Sequence, residues 1–146
     1  MMGERKVLGQ SADVSLPQFG INSISAKVDT GAYRCRLHCD EASRCSDGKI
    51  HFTINGKKFV RDSYKPKMRV LTKSITGHEK REYAIMSNMI VNGKKCRTDI
   101  VLTDRNGKVH QALIGRKLLL DYDFVVDVRK GVENDVEYNN ERVEKL

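Results

Sequence analysis

Asp29-Thr30-Gly31-Ala32 is the stretch whose residue types and order could do chemistry. A carboxylate that activates a water must be held rigidly and stay partly protonatable. A Thr hydroxyl beside it can lock the turn, Gly lets a backbone N–H approach the carboxylate, and Ala keeps the next position small. Two such loops face to face put two carboxyls about 3 Å apart, where both cannot ionise. One then acts as base on a water while the other gives a proton to a scissile carbonyl. Taken alone, the tetrapeptide is equally a strand end that Asp29 caps.

Cys35, His38, Cys39 and Cys45 form a second set, soft ligands clustered within a short stretch. Structural zinc sites generally use two ligand pairs separated by a longer loop. Three of these ligands crowd together beside the Asp29 turn, so reduced thiols and a packed histidine are the plainer expectation, with a metal site as the alternative. A P-loop would need Gly-x4-Gly-Lys-(Ser/Thr), and the chain has none. A zincin helix would read His-Glu-x-x-His, whereas His78-Glu79 is followed by Lys80, Arg81 and Glu82. These residues call for no cofactor.

The elements that must position Asp29 are strands. Ile24, Ala26 and Val28 alternate inward and run straight into the Asp29 turn. Ile50, Phe52 and Ile54 share a face, as do Cys96, Thr98, Ile100 and Leu102, with Arg97 and Asp99 opposite. Asp47-Gly48, Asn55-Gly56, Thr76-Gly77, Asn92-Gly93 and Asn106-Gly107 punctuate the chain, and Asn-Gly favours tight hairpins. The period of two with hairpin turns predicts an all-β domain of antiparallel strands. One stretch departs from it. Gly115–Asp121 follows a short strand Ala112–Ile114 and predicts a short helix, and Phe124–Val128 a final core strand.

With these residues placed, the sequence resembles the retropepsin-like aspartic peptidases, and more closely the RimK-associated family labelled "ATP-dependent zinc proteases". The likeness runs from Leu16 to Val128. It rests on Leu16-Pro17-Gln18-Phe19-Gly20-Ile21, Ala26 to Ala32, Leu37-His38, Leu102-Thr103-Asp104-Arg105, Leu113-Ile114-Gly115-Arg116 and Phe124-Val125-Val126-Asp127. It implies a closed β-barrel lobe with one short C-terminal helix and Asp29 as the catalytic carboxylate. Leu113, Ile114, Gly115 and Arg116 then form the other half of the loop around Asp29, and His38 and Arg105 become candidates for substrate binding. The chain departs from the family at Tyr33-Arg34-Cys35-Arg36, where small or polar residues are usual, and at Val109 and Gln111, where Met and Pro are more frequent.

A peptidase of this type needs two carboxyls, and the chain supplies one Asp-Thr-Gly. Neither Asp121 nor Asp127 is followed by Thr-Gly or Ser-Gly. With 146 residues the chain fits one lobe, so the expected assembly is a two-fold homodimer that pairs Asp29 with its symmetry mate. A mobile hairpin over the cleft is also expected, and Ser74–His78, with Ile75, Thr76 and Gly77 at its tip, is the candidate flap.

Length and charge bound the remaining possibilities. Residues 1–130 are expected to form one domain and 131–146 an acidic, flexible tail. That tail holds five acids against two bases, −3, which leaves +11 for the rest of a chain whose net charge is +8. Such a field attracts polyanions. The run from Lys57 to Lys73 holds Lys57, Lys58, Arg61, Lys65, Lys67, Arg69 and Lys73 against Asp62 alone. An acidic, even glutamylated, peptide or protein is the preferred partner. Nucleic acid ranks lower, because only Phe59 and Tyr64 in that run could stack on bases. No apolar run is long enough to cross a membrane, and the N-terminus carries no apolar leader, so the cytoplasm is the default location. The leading expectation is an aspartic endopeptidase. The alternative is a non-catalytic binding domain of the same fold for an acidic protein or nucleic acid.

Overall fold

A computed structural model describes residues 5–64, 70–73 and 79–144. The strands are β1 (Lys6–Leu8), β2 (Ser11–Leu16), β3 (Ile21–Val28), β4 (Cys35–His38), β5 (Glu41–Arg44), β6 (Ile50–Ile54), β7 (Lys57–Arg61), β8 (Val70–Lys73), β9 (Glu79–Val91), β10 (Lys94–Thr103), β11 (Ala112–Ile114) and β12 (Phe124–Val126). Helix α1 spans Arg116–Asp121 and α2 spans Val136–Glu144. The architecture is all-β, as the period-two pattern predicts, but not wholly antiparallel: β1–β12, β10–β4 and β11–β3 pair in parallel.

Six strands close on themselves in the order β10-β4-β11-β3-β2-β9, and the β9–β10 pairing completes the ring. Closure removes sheet edges, so backbone donors and acceptors around the ring are satisfied. The barrel is filled by Val14, Leu16, Ala26, Leu37, Ile85, Met89, Val91, Ile100, Leu102 and Ile114, all nearly shielded from solvent. Each large aliphatic side chain buried in this way contributes about 2 kcal/mol. Ile24, Ala26 and Val28 pack on this core as the alternation in β3 requires. Two of the turns behave as their dipeptides predict. Asn55-Gly56 joins β6 to β7 and Asn92-Gly93 joins β9 to β10, with all four residues at positive φ.

Strands β5, β6 and β7 make a separate antiparallel sheet that rests on Phe19 through Phe52 and Phe59, with ring centroids 5.1–5.7 Å apart. Strand β1 pairs in parallel with β12, from Lys6↔Phe124 to Leu8↔Val126. The final strand is shorter than the expected Phe124–Val128. Asp127 N–H bonds Leu8 O at the end of β1, and the chain then turns, with Arg129 N–H on Asp127 Oδ1, which leaves Val128 exposed.

Two further departures have local causes. In β10 the alternation fails at Asp99, which is buried although Arg97 on the same face is exposed, because Arg34 and Lys117 cover it. Beyond Gly131, where no apolar pattern exists, the chain nonetheless forms a short 3₁₀ turn and α2. Helix α2 is held from its own ends: Asp135 Oδ1 accepts the Tyr138 N–H, and Arg142 bonds the Tyr138 hydroxyl one turn back. Among the described residues no helix is long and apolar enough to cross a membrane.

Candidate active site

Asp29 stands where β3 leaves the barrel. Its position is fixed by β11, which runs parallel to β3 with Ile114 opposite Val28, and the Asp29 N–H donates to Ile114 O at 2.9 Å. The turn then closes on itself. Ala32 N–H bonds Asp29 O at 3.2 Å, and Gly31 N–H donates to Asp29 Oδ1 at 3.0 Å. A Cβ on Gly31 would lie 3.2 Å from that same oxygen, so glycine gives the amide its approach. Thr30 is exposed and takes no part in these bonds. The Gly31 amide therefore does the locking that sequence reasoning gave to the Thr30 hydroxyl.

The second half of the loop is Leu113-Ile114-Gly115-Arg116, and it interlocks with the first. Arg116 N–H bonds Ala32 O at 2.8 Å, and Lys117 N–H bonds Tyr33 O at 2.9 Å. The Arg116 guanidinium reaches Gly31 O at 3.1 Å. Gly115 is pressed against the other segment: a Cβ there would stand 2.6 Å from Tyr33 O and from Arg34 C and O. Helix α1 is anchored by buried Leu118 and Leu119. The two halves, far apart in sequence, thus form one rigid backbone knot around a single carboxylate.

Arg105 lies within the field of that carboxylate. Arg105 donates through Nε to His110 O at 2.9 Å. Burial lowers the pKa of its guanidinium and nearby Arg36 lowers it further, while Asp29 acts in the opposite sense. Arg36 directs one nitrogen at both oxygens of Glu82, at 3.0 and 2.9 Å, and the Glu82 side chain is buried. Arg34 and Arg116 lie over the half-exposed Tyr33 ring.

His38 takes a supporting place. Its Nδ1 accepts the Arg105 backbone N–H at 2.9 Å, which leaves the ring proton on Nε2 for Asp40 Oδ1 at 3.2 Å. It braces the segment that carries Arg105. The flap candidate Ile75, Thr76 and Gly77 lies outside the described residues, as do Lys65, Lys67 and Arg69 of the basic run. Up to that point β8 and β9 pair antiparallel from Val70↔Glu82 to Lys73↔Glu79.

The candidate metal ligands are not brought together. Cys35 and Cys39 are buried, Cys45 is exposed, and among the described residues no three His, Cys, Asp or Glu side chains gather as a metal-binding group. The alternation in β4 is the reason, since it turns Cys35 into the core. Burial pushes the Cys35 thiol up to about 12. Cys96 is raised as well, mainly by burial. Alkylation of the folded protein at pH 8 is therefore expected to modify Cys45 alone, with Cys35, Cys39 and Cys96 reacting only after unfolding. Peptide mass mapping that finds Cys35 labelled in the native state would contradict this placement.

The sequence alone gives Arg34, Arg36, Glu82, Asp99 and Lys117 no role at the site. The available signal was the alternation Arg34-Cys35-Arg36-Leu37, which puts two cations side by side on the outer face of a strand leaving the Asp29 turn.

Comparison with known proteins agrees with this geometry. The family model described as RimB-like, retropepsin-like aspartic endopeptidase RimB, matches residues 7–135. A probable alpha-L-glutamate ligase of Shewanella halifaxensis is 25% identical over 148 residues, covering 94% of this chain and 32% of its own length. Another from Shewanella pealeana is 24% identical over 133 residues, covering 86% and 29%. The chain thus spans about a third of the length of the curated relatives it matches. Among solved structures, a Legionella pneumophila protein with unknown function superposes with a TM-score of 0.67 at 22% identity, covering 86% of this chain and 95% of that one. That likeness concerns the fold. With a family match over most of its length, a closed barrel and an interlocked Asp-Thr-Gly loop, the chain belongs to the RimB-like family of retropepsin-like aspartic endopeptidases.

Proposed function

We propose that this chain is one half of an aspartic-type endopeptidase, completed by a second copy and directed at acidic peptides. The observation that carries the reading is the state of the Asp29 carboxyl. Its Oδ1 is held by Gly31 N–H, and Oδ2 takes no bond among the described residues. Such a carboxyl is oriented by its loop and keeps one oxygen for a further partner.

The chemistry follows from two like charges brought to about 3 Å, which must share a proton. The ionised carboxyl of one Asp29 takes a proton from a water lying between the pair. The resulting hydroxide attacks the scissile carbonyl carbon, while the protonated Asp29 gives its proton to the carbonyl oxygen. Collapse of the tetrahedral adduct breaks the C–N bond and passes a proton to the leaving amine. One water is consumed and the carboxyl pair returns to its starting state.

The acidic preference rests on the cations around the loop. Arg105 lies within the field of Asp29 and Arg116 bonds Gly31 O beside it, and a side-chain carboxylate accepts charge-assisted bonds from guanidinium groups more strongly than a neutral amide does. The relatives named probable alpha-L-glutamate ligase contain a segment like this chain, which fits a partner built of glutamate.

One experiment tests both halves of the reading: hydrolysis of matched Glu-rich and Gln-rich peptides over a range of protein concentrations, with light scattering in parallel. Specific activity is expected to rise with the dimer fraction. The Glu-rich peptide is expected to be cleaved at least about tenfold faster, as one charge-assisted bond would give. That margin should shrink as salt is raised. Full activity in a monomer removes the paired-carboxyl mechanism, and equal cleavage of both peptides removes the acidic preference. Tight binding of the acidic peptide without cleavage would favour a binding domain.

A further inference from the structure

Asp99 is the most thoroughly shielded carboxylate described in the protein, with a side-chain exposure of 0% on the outer face of β10. It accepts from Arg34 Nε at 2.7 Å and from Lys117 Nζ at 2.5 Å. Those partners belong to different segments. Arg34 follows the Asp29–Ala32 turn, and Lys117 follows Gly115-Arg116. A carboxylate on a third strand therefore grips one residue from each half of the backbone knot that holds Asp29. Lys117 also lies under the Tyr64 ring at 5.2 Å, and Tyr64 N–H bonds Ala84 O on β9. Cys35 on β4 is a further titratable group within the field of Asp99.

Burial alone would raise the Asp99 carboxyl, but the hydrogen bonds from Lys117 and Arg34 outweigh it and hold it below its ordinary value. The same bond raises Lys117. Each of Asp99 and Lys117 thus favours the charged form of the other. A buried ion pair seldom stabilises a fold more than apolar side chains of the same size would. Stability is therefore a weak reason to place an acid here, and geometry is a better one: the two halves of the loop meet through short backbone bonds and Arg116 on Gly31 O, and Asp99 ties both to the barrel wall.

We propose that Asp99 is a positioning residue for Asp29, clamping both halves of the loop through Arg34 and Lys117. This assignment rests on the peptidase reading for its catalytic consequence, but not for its structural one. The test is Asp99→Asn in the full chain, read in two ways. In hydrolysis, kcat is expected to fall about 100-fold while KM changes less than about threefold, because a displaced carboxyl loses the reaction more than the substrate. In hydrogen exchange, the bonded amides of Gly31, Ala32, Arg116 and Lys117 are expected to exchange at least about tenfold faster, while those of Ile85 and Ile100 keep their wild-type rates.

Unchanged exchange at the four loop amides overturns the proposal, and so does acceleration that spreads evenly through the barrel. If Asp99→Asn does not fold, Lys117→Gln leaves Asp99 its arginine and must show the same local pattern in milder form. Lys117→Arg should restore it. A wild-type chain that cleaves no peptide defeats the peptidase reading alone, since hydrogen exchange still judges the clamp.

Discussion

Asp29→Asn is expected to abolish peptide hydrolysis, lowering kcat by at least about 10³-fold, with the fold and the dimer intact. Asn is nearly the same shape as Asp, and its amide oxygen can still accept the Gly31 N–H that holds Oδ1 at 3.0 Å. The backbone bonds from Asp29 to Ile114 and from Ala32 to Asp29 do not involve the side chain and stay in place. What disappears is the proton chemistry. In a two-fold dimer one substitution removes both carboxyls, so no group is left to take a proton from water or to give one to the carbonyl oxygen. General acid and base catalysis contribute about 10²–10⁴-fold each, which sets the expected loss. Steady-state hydrolysis, near-UV circular dichroism and light scattering together check it. A variant that keeps a tenth of wild-type activity would mean that Asp29 is not the reacting acid.

The second large effect is expected at Gly115. An alanine Cβ there would stand 2.6 Å from Tyr33 O and from Arg34 C and O. All three are backbone atoms of the opposing half-loop, so no flexible side chain can move aside. The two segments must separate, and the bonds from Arg116 N–H to Ala32 O and from Lys117 N–H to Tyr33 O must stretch with them. Forcing an extra methyl into such a contact costs about 3 kcal/mol. For a domain of this size that corresponds to about 10 °C in Tm. Activity should fall further than stability explains, since a carboxyl moved by about 1 Å costs about 100-fold in rate. Thermal unfolding and kcat at a temperature well below Tm measure the two effects separately. Gly115→Ala with wild-type Tm and wild-type kcat would show that the tight approach does not hold the site.

The strands of the barrel and the loop of Asp29 were legible for a physical reason. Side chains on a strand alternate with a strict period of two, so Ile24-Ala26-Val28 and Ile50-Phe52-Ile54 declare their inner face without knowledge of their neighbours. Asn-Gly fixes a hairpin through positive φ at two adjacent residues, a local property, and Asn55-Gly56 and Asn92-Gly93 adopt it. The residues around Asp29 were harder to read. Asp99 follows a polar alternation and was assigned to the solvent-facing side, yet Arg34 and Lys117 cover it from distant segments. His38, named as a candidate ligand or substrate contact, braces the Arg105 segment through its Nδ1. The four candidate metal ligands lie close in sequence, but their side chains are not gathered into one group.

The sequence by itself determined the all-β class and the turn that carries a lone Asp-Thr-Gly. These depend on short-range sterics, side-chain periodicity and residue counting. Only the tertiary structure decided that Ile114 and Gly115 interlock with Asp29 to Arg34, that Arg105 feels the charges of both Asp29 and Arg36, and that a buried Asp99 ties both half-loops to the barrel. Such contacts join residues up to 85 positions apart, as in the bond from Arg116 to Gly31 O. Their partners are chosen by barrel closure and strand register, which no local pattern encodes.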